Sequence, residues 1–479
     1  NPADSIPRAS LVRAALERCP FVVVADCWET DTSAFADVLL PAAGWGEKNG
    51  TVTNSERLIS RQRPFRDAPG EARADWWMFA EVGRRMGWAD AFAWDSPAAV
   101  FREHAALSGF ENEGRRIFDI SAMAGMDAAE YDQMRPFRWP MPAGTSEGAG
   151  RMFADGGFST PDRKARFVPT PFKGHPERGD RPFLLNTGRI RDQWHTMTRT
   201  GLVPRLMTHA TEPTVTINPA DAATLGIEAG VLVRIETEHG SAVLRAELDH
   251  GQRRGELFAP FHWTDRFASS GPVARTVGAL RDPISGQPEL KHTPVEIRKI
   301  DVLWHGTILA RRQVMLPDLT YWTHFTGAGF HAYTLAGTQP LAAARQALSA
   351  AVRTSNPGPW HEGASGIGMV ISDGRLEAAL GLAVSRDEAV RDRLMPFMNA
   401  DRLSFEERTA LLQGGTAEER GGEICACFGI SRVSVETAIH QGAQSIDAVA
   451  SATRAGSNCG SCRPEIRSLL RARRLHQAA

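Results

Sequence analysis

Four of the six cysteines crowd into the end of the chain, as Cys425-x-Cys427, then 31 residues, then Cys459-x-x-Cys462. Thiolates at such short spacing point into one pocket, and four of them satisfy either a [2Fe-2S] cluster or a tetrahedral zinc ion. Spacing alone does not separate iron from zinc. The first pair favours iron, because zinc knuckles usually place two to four residues between paired cysteines and only Ala426 stands here. A disulfide framework belongs to small secreted domains, and two pairs confined to the tail of a 479-residue chain do not read that way. Between the pairs, Ser434 before VETAIHQGA and Ser445 before IDAVASATRAG are N-cap candidates that open apolar-periodic runs. Gly456 breaks the second run, and Arg463-Pro464 leads into a closing helix, EIRSLLRARR. Cys19 and Cys27 flank the apolar run FVVVAD and read as buried, inert thiols.

The motif residues ICACFGIS and SNCGSCRPEI resemble the bacterioferritin-associated-ferredoxin (BFD) type of [2Fe-2S] domain. The resemblance covers residues 416–479 and implies that Cys425, Cys427, Cys459 and Cys462 are the cluster ligands.

With 42% hydrophobic and 23% charged residues and a net charge of −1, the chain is an ordinary globular composition, long enough for three or four cores. That balance argues against bulk-charge binding to nucleic acid or to an anionic membrane. No apolar run approaches a membrane span. Cluster-style cysteine usage favours a cytoplasmic location.

The opening reads as α/β. A helix-like LVRAALERC precedes the strand FVVVAD, a second strand follows in ADVLLPAA, and strand and helix in alternation suggest a doubly wound parallel sheet entered partway. The helix DWWMFAEVGRRMG closes this part, residues 1–95, with Trp76 and Trp77 read as core. Residues 96–180 are rich in Pro and Gly and read as a loop-rich connection. From 181 to 300 short β-rich runs separated by glycines and acidic turns (FLLNTG, VTINP, VLVRIET, SAVLRAEL, ELFAPFHW, PVEIRKID) predict a closed β-barrel. Residues 301–415 read as a small α+β module with a hairpin turn at Asp373-Gly374.

The segment NTGRIRDQWHTMTRTG, residues 186–201, follows the first barrel strand and has no apolar periodicity. Hydroxyls, guanidiniums and glycine-freed N–H groups are what a pyrophosphate-bearing ligand needs. A solvated connection is the bland alternative, but eight polar donors packed between strands weigh against it. His195 beside basic residues could act as a base; positioning a cofactor is the preferred reading. His262-Trp263 and the aromatics around Tyr321 read as core.

This segment resembles the molybdopterin-dinucleotide-binding loop of the dimethyl-sulfoxide-reductase superfamily, with QWHTMTRTG nearest to assimilatory nitrate reductases. TDTSAFADVLLPAAGWGEKNGTVTNSERLI, FSTPDRKARFV, INPADAATLGI, APFHW and DPISGQPELKHTPVEI resemble further stretches of that family in order. The resemblance implies a partial Rossmann-like domain, a six-stranded double-psi barrel and a bis-molybdopterin guanine dinucleotide carrying molybdenum. It carries cofactor contacts over to Thr187, Gly188, Arg189, His195, Thr196, Thr198 and Arg199, to Asp26, Thr30, Glu47 and Asn54, and to Gln287 and Lys291. At VARTVGAL the family's asparagine is absent and that contact is left unassigned. The family's N-terminal cysteine motif for a [4Fe-4S] cluster and its molybdenum ligand are not found, so this reading expects them on residues upstream of Asn1 and expects no turnover from the chain alone.

A pterin-dinucleotide barrel followed by a [2Fe-2S] module implies nitrate as substrate, nitrate assimilation as the role, and a flavoprotein or ferredoxin as electron donor. The alternatives are a formate dehydrogenase or other molybdopterin oxidoreductase, or a non-catalytic electron-transfer or cofactor-binding subunit.

Overall fold

The computed structural model describes residues 1–169, 179–363, 366–386, 389–413 and 423–478. Two compact units divide the chain: Asn1–Pro20 with Thr30–Phe35 and His175–Ala479, and Phe21–Glu29 with Ala36–Gly174.

The first unit is built on a closed six-stranded barrel. Going round it, the strands are Glu256–Pro260, Phe183–Gly188, Thr293–Lys299, Leu232–Thr237, Gly240–Leu248 and Thr214–Ile217, which returns to the first. Phe183–Gly188 runs parallel to Glu256–Pro260, and Thr214–Ile217 parallel to Gly240–Leu248; the remaining pairs are antiparallel. Alternation supplies the core, for Leu185, Val215, Val233, Ile235, Leu244, Leu257, Val295 and Ile297 meet inside while Arg234 and Glu236 face out. Every one of the six β-rich runs read from the sequence is a barrel strand.

The α+β module is a six-stranded antiparallel sheet in the order Tyr321–Gly327, Phe330–Gly337, Trp304–Ala310, Arg375–Ala383, Gly368–Ser372, Trp360–Glu362. Asp373 and Gly374, at φ +51° and +78°, turn its predicted hairpin, as a two-residue loop with two left-handed positions requires. One face packs on helix Leu341–Ser355 through Ala344, Leu348 and Val352. The other packs on helix Ala389–Asn399, and into that same core go Met197, Met207, Trp263 and Phe267 from the barrel's connecting segments. The module therefore backs the segment that follows the first barrel strand.

Barrel and module are also joined by charge. Glu212 is met by Arg245 at 2.9 Å, by the Tyr321 hydroxyl at 2.9 Å and by Arg386 at 2.6 Å. Burial works to raise the Glu212 carboxyl, but the two guanidiniums and their hydrogen bonds outweigh it and hold the group below its ordinary range.

The cysteine-bearing part begins with a hairpin, Glu423–Cys425 and Ile430–Ser431, and continues through helices Arg432–His440, Ile446–Thr453 and Arg463–Ala478. Ser445 caps its helix as expected, accepting from the Ala448 N–H. The preceding helix starts earlier than read: Ser431 is its cap, and Ser434 donates its backbone N–H to the Ser431 hydroxyl. Both serines carry capping chemistry, and the hairpin fixes which one sits at the helix mouth.

In the second unit, Val23–Asp26 and Val38–Pro41 pair in parallel as a two-stranded sheet. A three-stranded antiparallel sheet of Gly50–Thr53, Leu58–Gln62 and Phe137–Arg138 lies beyond it in the chain. The stretch read as loop-rich from residue 96 contains helices Pro97–Gly109 and Ala128–Gln133, and Phe101, Ala105, Ile120, Tyr131 and Met134 form a core with Ile59. Its Pro and Gly content misled because Pro97 sits at a helix N-terminus, where its missing N–H costs nothing. Cys19 and Cys27 are exposed, contrary to their reading as buried thiols, since the strand between them leaves Val23 48% exposed. Trp77 is likewise exposed and Trp76 half-buried: the helix Asp75–Arg85 buries Met78, Ala80 and Gly83, and Arg73 lies over the Trp77 ring.

Because folding lowers the Glu212 pKa, its contribution to stability is complete above the ordinary carboxyl range and is lost as pH falls through that range toward the depressed value. Glu212→Ala strands a buried guanidinium and is expected to cost about 3–5 kcal/mol in urea unfolding at neutral pH. Glu212→Gln should flatten the acid side of the stability profile; wild-type midpoints and an unchanged acid limb in both variants would refute the network's role.

Candidate functional site

The segment from Gly188 to Gly201 leaves the barrel as an irregular loop with three non-glycine residues in left-handed backbone: Asp192 at φ +69°, His195 at +46° and Met197 at +57°. Such backbone persists only where surroundings over-determine it. His262, fully buried, supplies much of that constraint. Its Nε2 accepts the Ile190 N–H at 3.0 Å, so the ring proton sits on Nδ1 and is donated to the His195 carbonyl at 2.6 Å. Burial holds His262 below its ordinary pKa, which keeps it in the neutral form that both bonds need. Met197 is buried in the core shared with the α+β sheet, and Gln193 donates to the Leu206 carbonyl at 2.9 Å.

At the loop's start, Thr187 donates its hydroxyl to the Leu290 carbonyl at 2.7 Å, and the Lys291 ammonium reaches the Thr187 carbonyl. Gly188 has no room for a side chain, since a Cβ would stand 2.5 Å from the Phe258 ring. Thr196 and Thr198 share a hydroxyl contact at 3.2 Å, and Asn1 donates to Thr196 at 2.9 Å.

Arg189, His195 and Arg199 turn outward. Trp194 carries Arg189 over its ring face at 5.1 Å and meets the His195 ring edge-on. Partial burial, then Arg189 and Arg199, push the His195 pKa down. Among the described residues neither arginine pairs with a carboxylate, so two guanidiniums and an imidazole converge uncompensated, beside two threonine hydroxyls. This donor set fits an anionic diphosphate-bearing group.

The remaining sequence-derived contacts are not gathered there. Asp26, Glu47 and Asn54 lie in the other compact unit and do local work: Asp26 accepts the Cys27 N–H, Glu47 caps Gly44 and pairs with Arg66, and Asn54 accepts from Glu56 and Leu58. Thr30 is buried in a turn with Ser33. Gln287 is exposed in a turn and accepts the Asp282 N–H at its carbonyl.

The four tail cysteines stand as two pairs, each drawn from both motifs. Cys427 and Cys459 have sulfurs 3.2 Å apart, while Cys425 and Cys462 are hydrogen-bonded and buried. The Ser461 hydroxyl and N–H lower the Cys459 pKa, whereas burial and then Cys425 push Cys462 up to about 11. A bound metal must displace that proton. Among the described residues no three His, Cys, Asp or Glu side chains are gathered as one metal ion requires. Two separate pairs suit a [2Fe-2S] cluster, which takes two thiolates at each iron, better than a zinc ion, which takes four.

Sequence reading missed two residues. His262 is core, as read, yet it is also the clamp of the loop. Arg191, unlike the exposed Arg189, contacts the cysteine-bearing part. Neither role leaves a spacing signal, since both depend on residues far away in sequence.

Comparison with known families matches residues 183–294 to the molybdopterin dinucleotide binding domain, 1–85 to molybdopterin oxidoreductase and 423–472 to the BFD-like [2Fe-2S] binding domain. The nitrate reductase of Klebsiella oxytoca is 41% identical over 489 residues, covering 99% of this chain and 55% of that protein. The assimilatory nitrate reductase catalytic subunit of Bacillus subtilis is 32% identical, covering 62% of this chain and 41% of its own length. The F420-dependent formate dehydrogenase subunit alpha of Methanocaldococcus jannaschii is 32% identical, covering 63% and 42%. The chain thus spans about half the length, or less, of these relatives. The dinucleotide-binding match thus falls on the barrel and the loop after its first strand, the molybdopterin oxidoreductase match on the opening residues, and the BFD-like match on the paired cysteines.

Proposed function

We propose that this chain serves the molybdenum-dependent reduction of nitrate to nitrite in nitrate assimilation. One observation carries the choice: similarity to the Klebsiella nitrate reductase runs through 99% of the chain, cluster domain included, whereas similarity to the formate dehydrogenase covers 63%. In this reading the barrel is of the double-psi type and holds one end of a bis-molybdopterin guanine dinucleotide, and the opening residues belong to a Rossmann-like domain. When bound, the cofactor supplies oxygen-atom transfer at molybdenum; the chain's own residues bind and orient it.

Thr187, Gly188, Thr196 and Thr198 would set the phosphate-bearing part against the strand end, with Arg189 and Arg199 neutralising it. A nearby anion would also relieve the charge crowding that disfavours protonated His195. Lys291 holds the Thr187 carbonyl and so acts on the shape of the strand end. Cys425, Cys427, Cys459 and Cys462 would hold the [2Fe-2S] cluster at which electrons enter from a flavoprotein or ferredoxin. Cys459 is the exposed ligand, the side from which a donor reaches the cluster. No helix among the described residues is long and apolar enough to cross a membrane, and a cytoplasmic site for this chemistry is part of the proposal.

Paired assays on the full-length protein decide the substrate: nitrate reduction is expected, and formate oxidation without it would overturn the assignment. Cys459→Ser should abolish the [2Fe-2S] signal in electron paramagnetic resonance and leave molybdenum content intact; a normal signal would show that the ligand set is wrong. Arg199→Ala should lower pterin retention roughly tenfold, the loss of one charge-assisted phosphate contact. Full cofactor loading in that variant would argue against the loop as the dinucleotide site.

A further inference from the structure

Two residues beyond Arg189, the same loop carries a second guanidinium to a different set of partners. Arg191 Nη2 donates to the Ile424 carbonyl at 2.6 Å and to Glu465 Oε2 at 2.9 Å. Its Nη1 faces Asp192 Oδ2 at 3.1 Å, an ion pair without hydrogen-bond geometry. His209 completes the cluster, with Nε2 3.4 Å from Glu465 and Nδ1 3.7 Å from Asp192. Next to it the Thr208 hydroxyl donates to Glu423 at 3.2 Å. Arg191 and Asp192 are the best shielded, with side chains 16% and 12% exposed.

The partners are placed with a purpose. Ile424 immediately precedes Cys425, and Glu465 lies one helical turn beyond Cys462, so Arg191 grips both arms that carry the buried cysteines. Arg189, two residues earlier, is exposed and lies over the Trp194 ring instead. Two residues of chain span at most about 7 Å. One short stretch of backbone therefore reaches the dinucleotide face and the cluster domain at once.

We propose that Arg191 is a positioning residue that docks the [2Fe-2S] domain onto the dinucleotide loop and so fixes the distance electrons cross between the two centres. The inference rests on the proposed function for its electron-transfer meaning, but the docking itself does not. One guanidinium nitrogen, Nη2, bonds the Ile424 carbonyl and the Glu465 carboxylate together while Nη1 lies against Asp192, a placement of one delocalised charge that a compact ammonium does not reproduce. Burial makes the cost of removing one partner large, because Glu465, His209 and Asp192 would be left beside one another without the cation.

The experiment uses the full-length holoenzyme with Arg191→Ala, Arg191→Lys and Glu465→Gln. Hydrogen exchange over residues 423–431 and 463–470 reports docking whatever the enzyme's substrate. The [2Fe-2S] resonance signal should persist in every variant, exchange should rise, and donor-driven turnover should fall by about tenfold or more, as for supporting contacts at metal sites. Turnover driven by a reduced dye acting at the molybdenum side should stay within about twofold of wild type. Unchanged exchange in both Arg191→Ala and Glu465→Gln would overturn the docking role. Raised exchange with equal loss of donor-driven and dye-driven turnover would overturn the positioning role. Raised exchange in a protein whose wild type does not reduce nitrate would leave docking supported and refute the functional reading instead. Should Arg191→Ala lose its cluster signal through misfolding, Glu465→Gln, which keeps side-chain volume, decides between these outcomes.

Discussion

Withdrawing the Glu212 carboxylate from most of the solvent, to 11% exposure of its side chain, is a demanding step in this fold, because a largely buried charge is tolerated only when its partners are already in place. Arg245 comes from the barrel strand Gly240–Leu248, Tyr321 from the edge strand of the α+β sheet, and Arg386 from the segment after the last strand of its hairpin. Assembling them means that barrel and sheet must already be seated on one another. Thr211, the residue before Glu212, accepts from Arg391 at 2.7 Å, so the same joint is tied to the helix Ala389–Asn399. The segment that follows the loop Gly188–Gly201 is consequently fixed by charge, as the loop's starting end is fixed by the barrel ladder.

That constraint explains why a loop with so little regular structure holds a defined shape. Gly188 is set by its strand pairing with Pro260, and the chain is caught again at Ile190 and His195 by one imidazole, at Met197 and Met207 by the sheet core, and at Glu212 by the ion network. Between these anchors the backbone can hold the left-handed residues Asp192, His195 and Met197. The α+β module is in this light the support against which the loop is shaped.

What could be read in the sequence followed from local chemistry. Alternating runs named all six barrel strands because the side-chain period of a strand shows in its own residues. The Asp373-Gly374 turn and the Ser445 cap were legible for the same reason. Thr187, Gly188, Arg189, His195, Thr196, Thr198 and Arg199 are in one loop because they are adjacent in the chain. Failure came wherever burial is decided by distant residues. Cys19, Cys27 and Trp77 sit in apolar surroundings in sequence and are exposed in space; His262 looks like any core histidine until its two backbone partners, some 70 residues away, are known.

The loop's charges also sort by environment in a way composition conceals. Among the described residues Arg189 and Arg199 have no carboxylate partner and are exposed; after partial burial they too depress the protonated form of His195, and they leave an electropositive face able to accept an anion. Arg191 is matched by Asp192 and Glu465, and although burial works to raise the Glu465 carboxyl, His209 and Arg191 hold it below its usual range. Unmatched charge at the surface is inexpensive because water screens it, and it remains available to a ligand. Matched charge inside is strongly directional and suits a fixed joint. A single run of basic residues thus divides into an exposed face carried by Arg189 and Arg199 and a shielded joint made by Arg191 with Asp192 and Glu465.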